Sequence, residues 1–255
     1  VKKYNQTAHK VKIAVVGKYT DLKDSYKSLN EALIHGGIYN ETSVNIKWIN
    51  AERLDNKAII NELKNVHGIL VPGGFGERGI KGKICSITYA RENNTPFFGI
   101  CLGMQLAVID IARNVLNIKD SNSTEFKETE NPVIGLMTEW TKDTIKIKRN
   151  IDSDKGGTMR LGSYPCNIKN GSLVHNIYGT QNINERHRHR YEVNTNYIDM
   201  FEKEGFIYSG MSPDKLLPEI LESSSHPWFI GVQFHPELKS RPHNPHPLFV
   251  SFVEA

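Results

Sequence analysis

The chain of 255 residues has only three cysteines, Cys85, Cys101 and Cys166. An odd number with no even framework excludes a disulfide scaffold and points to a reducing compartment, here read as the cytoplasm. No apolar run approaches the roughly 20 residues of a membrane span, so no membrane partner is expected. No repeat shows at solenoid or propeller periods. Charge of one sign is scarce: 32 Lys+Arg stand against 28 Asp+Glu, a net +4. That imbalance is too small to argue for a nucleic-acid partner. No triphosphate-cradling G-x-x-x-x-G-K-[ST] loop occurs, so no nucleotide cofactor is assigned to these residues. The histidine-bearing tract Pro242–Pro247 has no thiol or carboxylate ligands nearby, and no metal site is expected there or elsewhere. An initiator Met and a signal segment are missing too. The start Val1-Lys2-Lys3 with polar residues to Lys10 reads as a connector, residues 1–10, from a longer polypeptide.

What is present is 38% hydrophobic and 24% charged residues, the balance of a globular chain long enough to bury a real core. Ile13–Gly17, Gly68–Val71 and Phe97–Ile100 are short continuous apolar runs, read as buried strands, and Val44, Ile46 and Trp48 alternate as another. Between them the spacing predicts helices. One runs from Asp24 as cap to His35, stopped by Gly36-Gly37. Others cover 56–65 with Asp55 as N-cap, 82–93 and 103–115. Strand–helix alternation with two-sided apolar strands predicts an α/β fold, a central mostly parallel, doubly wound sheet with helices on both faces. The second half changes character. Residues 143–149 alternate with period two, 195–204 read as a helix ending at Gly205, and Ile207 and Trp228–Phe234 read as returning strands. The second half is thus expected to carry an antiparallel extension, while 116–131 reads as a loop.

The sharpest chemical feature is Gly99-Ile100-Cys101-Leu102-Gly103, a buried strand running into a glycine-flanked cysteine with a helix starting at once. This is a nucleophile-elbow pattern, in which side chains two residues either side would collide with the strained nucleophile. The helix amino terminus offers N–H groups and a positive dipole end to a thiolate or an oxyanion. Cys85 and Cys166 have no such setting and read as structural. A base is offered by His235 at the end of the Trp228–Phe234 strand, with Glu237 two residues on to accept its ring N–H. Pro72-Gly73-Gly74-Phe75-Gly76 follows a buried strand and can present a backbone N–H to an oxyanion. In Arg186-His187-Arg188-His189-Arg190, bracketed by Glu185 and Glu192, the arginines share one strand parity and the histidines the other. We read the run as part of a site and not as a nucleic-acid stripe.

The order P-G-G, G-I-C-L-G-M-Q, F-H-P-E resembles the class I, triad-type glutamine amidotransferases. The segments 17–33, P-G-G-F-G-E-R-G (72–79), G-G-T-M-R-L-G (156–162) and E-R-H-R-H-R-Y-E-V-N (185–194) narrow the likeness to the glutaminase domains of the CTP synthase family, over residues 11–255. That resemblance implies Cys101 as the nucleophile toward L-glutamine, His235 as general base and acid, and Glu237 as its orienter. It implies Gly74 and Leu102 N–H groups as the oxyanion hole. Gly74, Phe75, Leu102, Gln105, Glu125 and Arg190 would hold glutamine, with Arg190 suited to the α-carboxylate and Glu125 to the α-ammonium. It further implies an amino-terminal synthase domain that aminates UTP with ATP and Mg, a homotetramer, and GTP as allosteric activator, for which Arg78 and Gly79 are the region to inspect. Two other readings are a catalytically weak regulatory or assembly module and a stand-alone γ-glutamyl hydrolase.

Overall fold

Three parallel strands set the position of everything that follows. The computed structural model describes residues 9–18, 23–136 and 159–255. In it β3 (Gly68–Val71), β4 (Phe97–Ile100) and β12 (Phe229–Val232) lie side by side, with Val71 opposite Gly99 and Val232 opposite Ile100. Because the registers match, the segments leaving all three strands emerge together at one sheet edge, where open α/β sheets bind ligands. The outer strands β1 (His9–Gly17) and β2 (Thr42–Asn50) continue the parallel order.

Beyond β12 the sheet turns antiparallel through β11 (Pro218–Ser223), β10 (Phe206–Met211), β7 (Arg160–Ile168) and β8 (Asn182–His189). Among the described residues the sheet has nine strands in the order β2-β1-β3-β4-β12-β11-β10-β7-β8. The predicted parallel sheet with an antiparallel extension is what the fold shows. Alternate residues of its central strands enter two separate cores. Ala14, Val16, Ile69, Val71, Phe97 and Phe229 pack under α2 (Asn56–Leu63), α3 (Ile80–Glu92) and α4 (Leu102–Asn114). Ile13, Val15, Leu70, Phe98, Ile230 and Val232 pack under α1 (Lys27–Tyr39), α5 (Leu173–Tyr178) and α7 (Pro247–Glu254). The apolar runs are continuous because both faces of each strand are covered.

Several local expectations hold. The Asp55 carboxylate caps α2 by accepting the Ala58 N–H at 2.7 Å, and Ile59 and Leu63 are its buried face. A 3₁₀ turn and α6 (Ile198–Lys203) precede Gly205, whose φ is +80°. Others need correction. Gly36-Gly37 does not stop α1, which continues to Tyr39. A Cβ on Gly36 would lie 2.6 Å from the Phe249 carbonyl oxygen, so this glycine permits close approach of α7 to α1 and is not a terminator. Residues 116–131 are not all loop: β5 (Asn122–Ser123) joins β6 (Pro132–Gly135) and β9 (Glu192–Val193) in a small second sheet beside α4. The strand expected at 143–149, the Asp24 side chain and most of the connector 1–10 lie outside the described residues. Among the described residues no helix is long and apolar enough to cross a membrane.

Candidate active site

Cys101 occupies the N-cap of α4 with φ 52° and ψ −104°, a left-handed region that costs a non-glycine residue free energy. Its N–H donates to the Val232 carbonyl at 2.7 Å, tying the elbow to β12. The flanking glycines are required by sterics, though the partners differ from those expected. A Cβ on Gly103 would lie 2.1 Å from the Val71 carbonyl oxygen, and one on Gly99 2.8 Å from the Gly103 carbonyl carbon. They allow helix and strand to touch. They do not chiefly clear space for the cysteine itself.

β12 delivers the second group. The His235 N–H donates to the Arg186 carbonyl at 2.7 Å, fixing the strand end against β8. The imidazole stands beside the Cys101 side chain, both lying against Gly73, and its Nδ1 lies 2.7 Å from Glu237 Oε1. Burial opposes charge on this ring, but its interactions with Cys101 and Glu237 outweigh it and raise the pKa above the ordinary histidine value. The glycine loop closes on the pair: a Cβ at Gly73 would stand 2.7 Å from His235 Cε1 and 3.5 Å from Cys101 Cβ. Gln233, fully buried, donates from Nε2 toward Cys101 Sγ at 3.8 Å. The sequence reading passed it over. Its signal was an amide on the same strand parity as His235 and Glu237, between apolar neighbours.

Cys101 lines two cavities. One, of about 440 Å³, is lined by Cys101, His235, Glu237, Gly73, Tyr26 and Arg188 among others. The other, of about 370 Å³, is lined by Cys101 with Gly74, Phe75, Gln105, Glu125 and Arg190. It thus brings together five of the six residues expected to hold glutamine. The sixth, Leu102, packs its side chain against Gly74. The loop is held by charge. Lys18 Nζ donates to the Phe75 carbonyl at 2.5 Å, and Glu125 Oε1 accepts the Gly76 N–H at 2.8 Å. Beneath Gly74, Lys83 is 1% exposed, and burial followed by the Lys18 charge lowers its amine to about 8. Both N–H bonds of the Gln105 amide are engaged, to the Tyr191 carbonyl at 3.0 Å and to Gln233 Oε1 at 3.1 Å. Its carbonyl oxygen is therefore the group it can offer a ligand.

The remaining expectations fall elsewhere. Arg78 pairs with Glu52 at 2.5 Å, and Gly79 caps α3 with φ +75°. Neither is among the lining residues of the two cavities. The arginine and histidine parities of β8 hold, with Arg186 and Arg188 exposed and His187 and His189 buried. His246 caps α7 and binds Glu185 at 3.1 Å. Burial pushes the thiols of Cys85 and Cys166 up, against nucleophilic use.

This geometry has known counterparts. The family model for glutamine amidotransferase class-I matches residues 21–255. The CTP synthase of Hyphomonas neptunium is 58% identical over 246 residues, and that of Rhodopseudomonas palustris strain BisA53 is 61% identical over 246 residues. Each alignment covers 96% of this chain, and the chain spans 45% of the length of these relatives. The Trypanosoma brucei CTP synthase glutaminase domain with bound acivicin superimposes with a TM-score of 0.82 at 37% identity, over 95% of this chain and 92% of that one. A glutamine amidotransferase from Thermotoga maritima shares the fold at 10% identity and a TM-score of 0.50, over 96% of this chain and 95% of that one. The chain belongs to the class I glutamine amidotransferases, as a glutaminase domain of the CTP synthase type.

Proposed function

We propose that the chain releases ammonia from L-glutamine through a Cys101 thioester. The observation that carries this reading is the position of Cys101, a strained thiol at a helix amino terminus shared by a His235–Glu237 cavity and an Arg190–Glu125 cavity. Arg190 takes the α-carboxylate and Glu125, through its second oxygen, the α-ammonium, so the γ-amide reaches the sulfur. The Cys101 sulfur attacks the amide carbon while His235 takes the thiol proton. The Gly74 and Leu102 N–H groups hold the oxyanion. His235, kept in register by Glu237, returns the proton to the departing nitrogen, and ammonia leaves. Water, deprotonated by the same ring, then cleaves the γ-glutamyl thioester to glutamate. Phe75 is 80% exposed, and in this reading it covers the bound amino acid.

The relatives named are CTP synthases. We extend the reading to a longer polypeptide in which residues 11–255 supply ammonia to a synthase domain. That domain aminates UTP to CTP with ATP and Mg, in a cytoplasmic homotetramer. No cofactor is assigned to the present residues. The Lys18 and Arg78 side chains are close enough for the guanidinium to lower the Lys18 amine, after burial. With Glu52 between them, Lys18 and Arg78 would offer their cations to the GTP triphosphate expected of an activator once Glu52 is displaced. Trapping with a glutamine-mimicking diazo-ketone, followed by mass mapping, tests the core of the proposal. An adduct on Cys101 that disappears in Cys101→Ala is expected. No adduct at saturating reagent would favour an assembly module over an enzyme.

A further inference from the structure

Behind the Arg190–Tyr191 segment lies a closed ring of five ionisable side chains that the chemistry above does not use. Arg160 on β7, Glu219 on β11, His187 and His189 on β8 and Glu192 on β9 are each at most 9% exposed. Arg160 Nη1 stands 2.8 Å from Glu219 Oε1, and Glu219 Oε2 is 3.5 Å from His187 Nε2. His187 Nδ1 is 2.8 Å from His189 Nε2. His189 Nδ1 faces the Tyr191 carbonyl at 3.2 Å and Glu192 Oε1 at 3.5 Å. Glu192 Oε1 returns to Arg160 Nη1 at 3.5 Å.

Hydrogen-bond direction around this ring is forced. His189 Nδ1 meets only acceptors, so it carries a hydrogen. A neutral His189 then has a bare Nε2, and the 2.8 Å contact requires the hydrogen on His187 Nδ1. A neutral His187 in turn has a bare Nε2, which faces a carboxylate oxygen. Two acceptors meet there unless one more proton lies between them. Neither His187 Nε2 nor Glu219 Oε2 has a hydrogen-bond partner among the described residues, and the 3.5 Å between them is the gap a shared proton would bridge. Charge counting agrees: one guanidinium balances one buried carboxylate, and a second would stand uncompensated.

We propose that Glu219 is held as a carboxylic acid donating to His187, and that the ring so wired positions the Arg190–Tyr191 segment for the carboxylate of glutamine. Burial and most of the groups facing the dyad favour a neutral pair, with Arg160 acting against it at Glu219. Burial, with Asp214 adding and Arg160 opposing, pushes Glu219 up to about 7. Burial, then Arg160, His189 and His235, pushes His187 down to about 2. Burial and Arg160 hold His189 near 3. Cys166 and Tyr164 on β7 are further facing groups: the thiol is neutral, and the Tyr164 ring meets His187 edge-on under the Arg160 guanidinium. The ring reaches the nucleophile through one shared acceptor. The Tyr191 carbonyl takes both His189 Nδ1–H and Gln105 Nε2–H, and Gln105 binds Gln233, which touches Cys101. Losing the proton sets a carboxylate against a bare ring nitrogen, turns His187 and frees the Tyr191 carbonyl. The positioning role rests on the reading of Arg190 given above; the proton assignment does not.

Two measurements on the full chain separate these claims. Imidazole ¹⁵N NMR at about pH 6.5 should find His187 and His189 neutral, both as Nδ1–H tautomers. An imidazolium at His187 or an Nε2–H tautomer at either position overturns the assignment. The KM for glutamine should rise about fivefold between roughly pH 6.5 and 8.5, with kcat moving less than about twofold. Glu219→Gln supplies a permanent N–H to His187 and a carbonyl to Arg160, so it should hold KM at its low-pH value across the window. Glu219→Leu, if it folds, should show the raised KM throughout. A Glu219→Gln profile that follows the wild type overturns the positioning role. An unchanged KM in Arg190→Met would overturn the glutamine reading of Arg190 and the positioning role with it, while the NMR result still judges the ring.

Discussion

The two halves of the sheet bury opposite kinds of chemistry. In the parallel half, from β2 to β12, the central strands β3, β4 and β12 are apolar on both faces, and the reactive groups stand where the chain leaves the sheet. In the antiparallel half, from β11 to β8, ionisable side chains occupy the interior: Glu219 and Glu222 on β11, Glu185, His187 and His189 on β8, Arg160 on β7. The parallel half places a nucleophile by register and steric fit, which needs no polar residue inside. On the function proposed here, the antiparallel half presents the charged and polar segment 188–191 to one end of a small zwitterion. It does so with hydrogen bonds whose direction is fixed. Under the proposed function, bond breaking falls to the first half and recognition of the amino-acid end to the second.

Substitutions can break that division or sharpen it. Cys101→Ala should lower glutamine turnover by about 10⁴-fold or more with KM little changed, measured as glutamate release. Glu237→Gln should cost about 10²–10⁴ in kcat by loosening the ring tautomer of His235, again with a modest KM effect. Arg190→Met should act the other way, raising KM on the order of 100-fold through loss of a charge-assisted pair with the carboxylate, while kcat at saturation falls far less. A kcat-dominated loss in Arg190→Met would erase the distinction between the halves. The smallest effect concerns stability. The folded-state pKa of Glu219 is raised to about 7, above the ordinary value near 4.3 in an unfolded chain. Its contribution is therefore complete below the unfolded value and lost as pH rises through about 7. Between roughly pH 6 and 8.5 the wild-type Tm should fall by a few degrees more than that of Glu219→Gln, followed by thermal unfolding.

Legibility in the sequence divides along the same line. The parallel half was readable because its strands are short apolar runs and its helices carry regular spacing. Cys101, His235, Glu237 and the Gly74 loop all lie at strand ends, where a polar or glycine residue interrupts an apolar run. The extent of α1 was not readable, because a glycine that admits a neighbouring helix and one that ends a helix look alike until Phe249 is placed against Gly36. In the antiparallel half the strand parity of the arginines and histidines was evident from alternation alone. The partners of the histidines were not. Glu219 and Arg160 come from β11 and β7, distant in sequence, and an acidic residue inside an apolar strand gives no local sign of what neutralises it. Gln233 was hidden for a related reason: an amide reads as an ordinary polar residue until both ends of its hydrogen bonds are known.

The backbone at Cys101 has one more consequence. With φ at 52° the position favours glycine, and every other residue there holds the fold slightly above its relaxed energy. Cys101→Gly should therefore be more thermostable than Cys101→Ala by about 1–3 kcal/mol. The protein would be most robust with nothing at its most important position. Drift toward robustness alone would delete the thiol, so on the proposed function its presence records a demand for reactivity that opposes durability at a single residue.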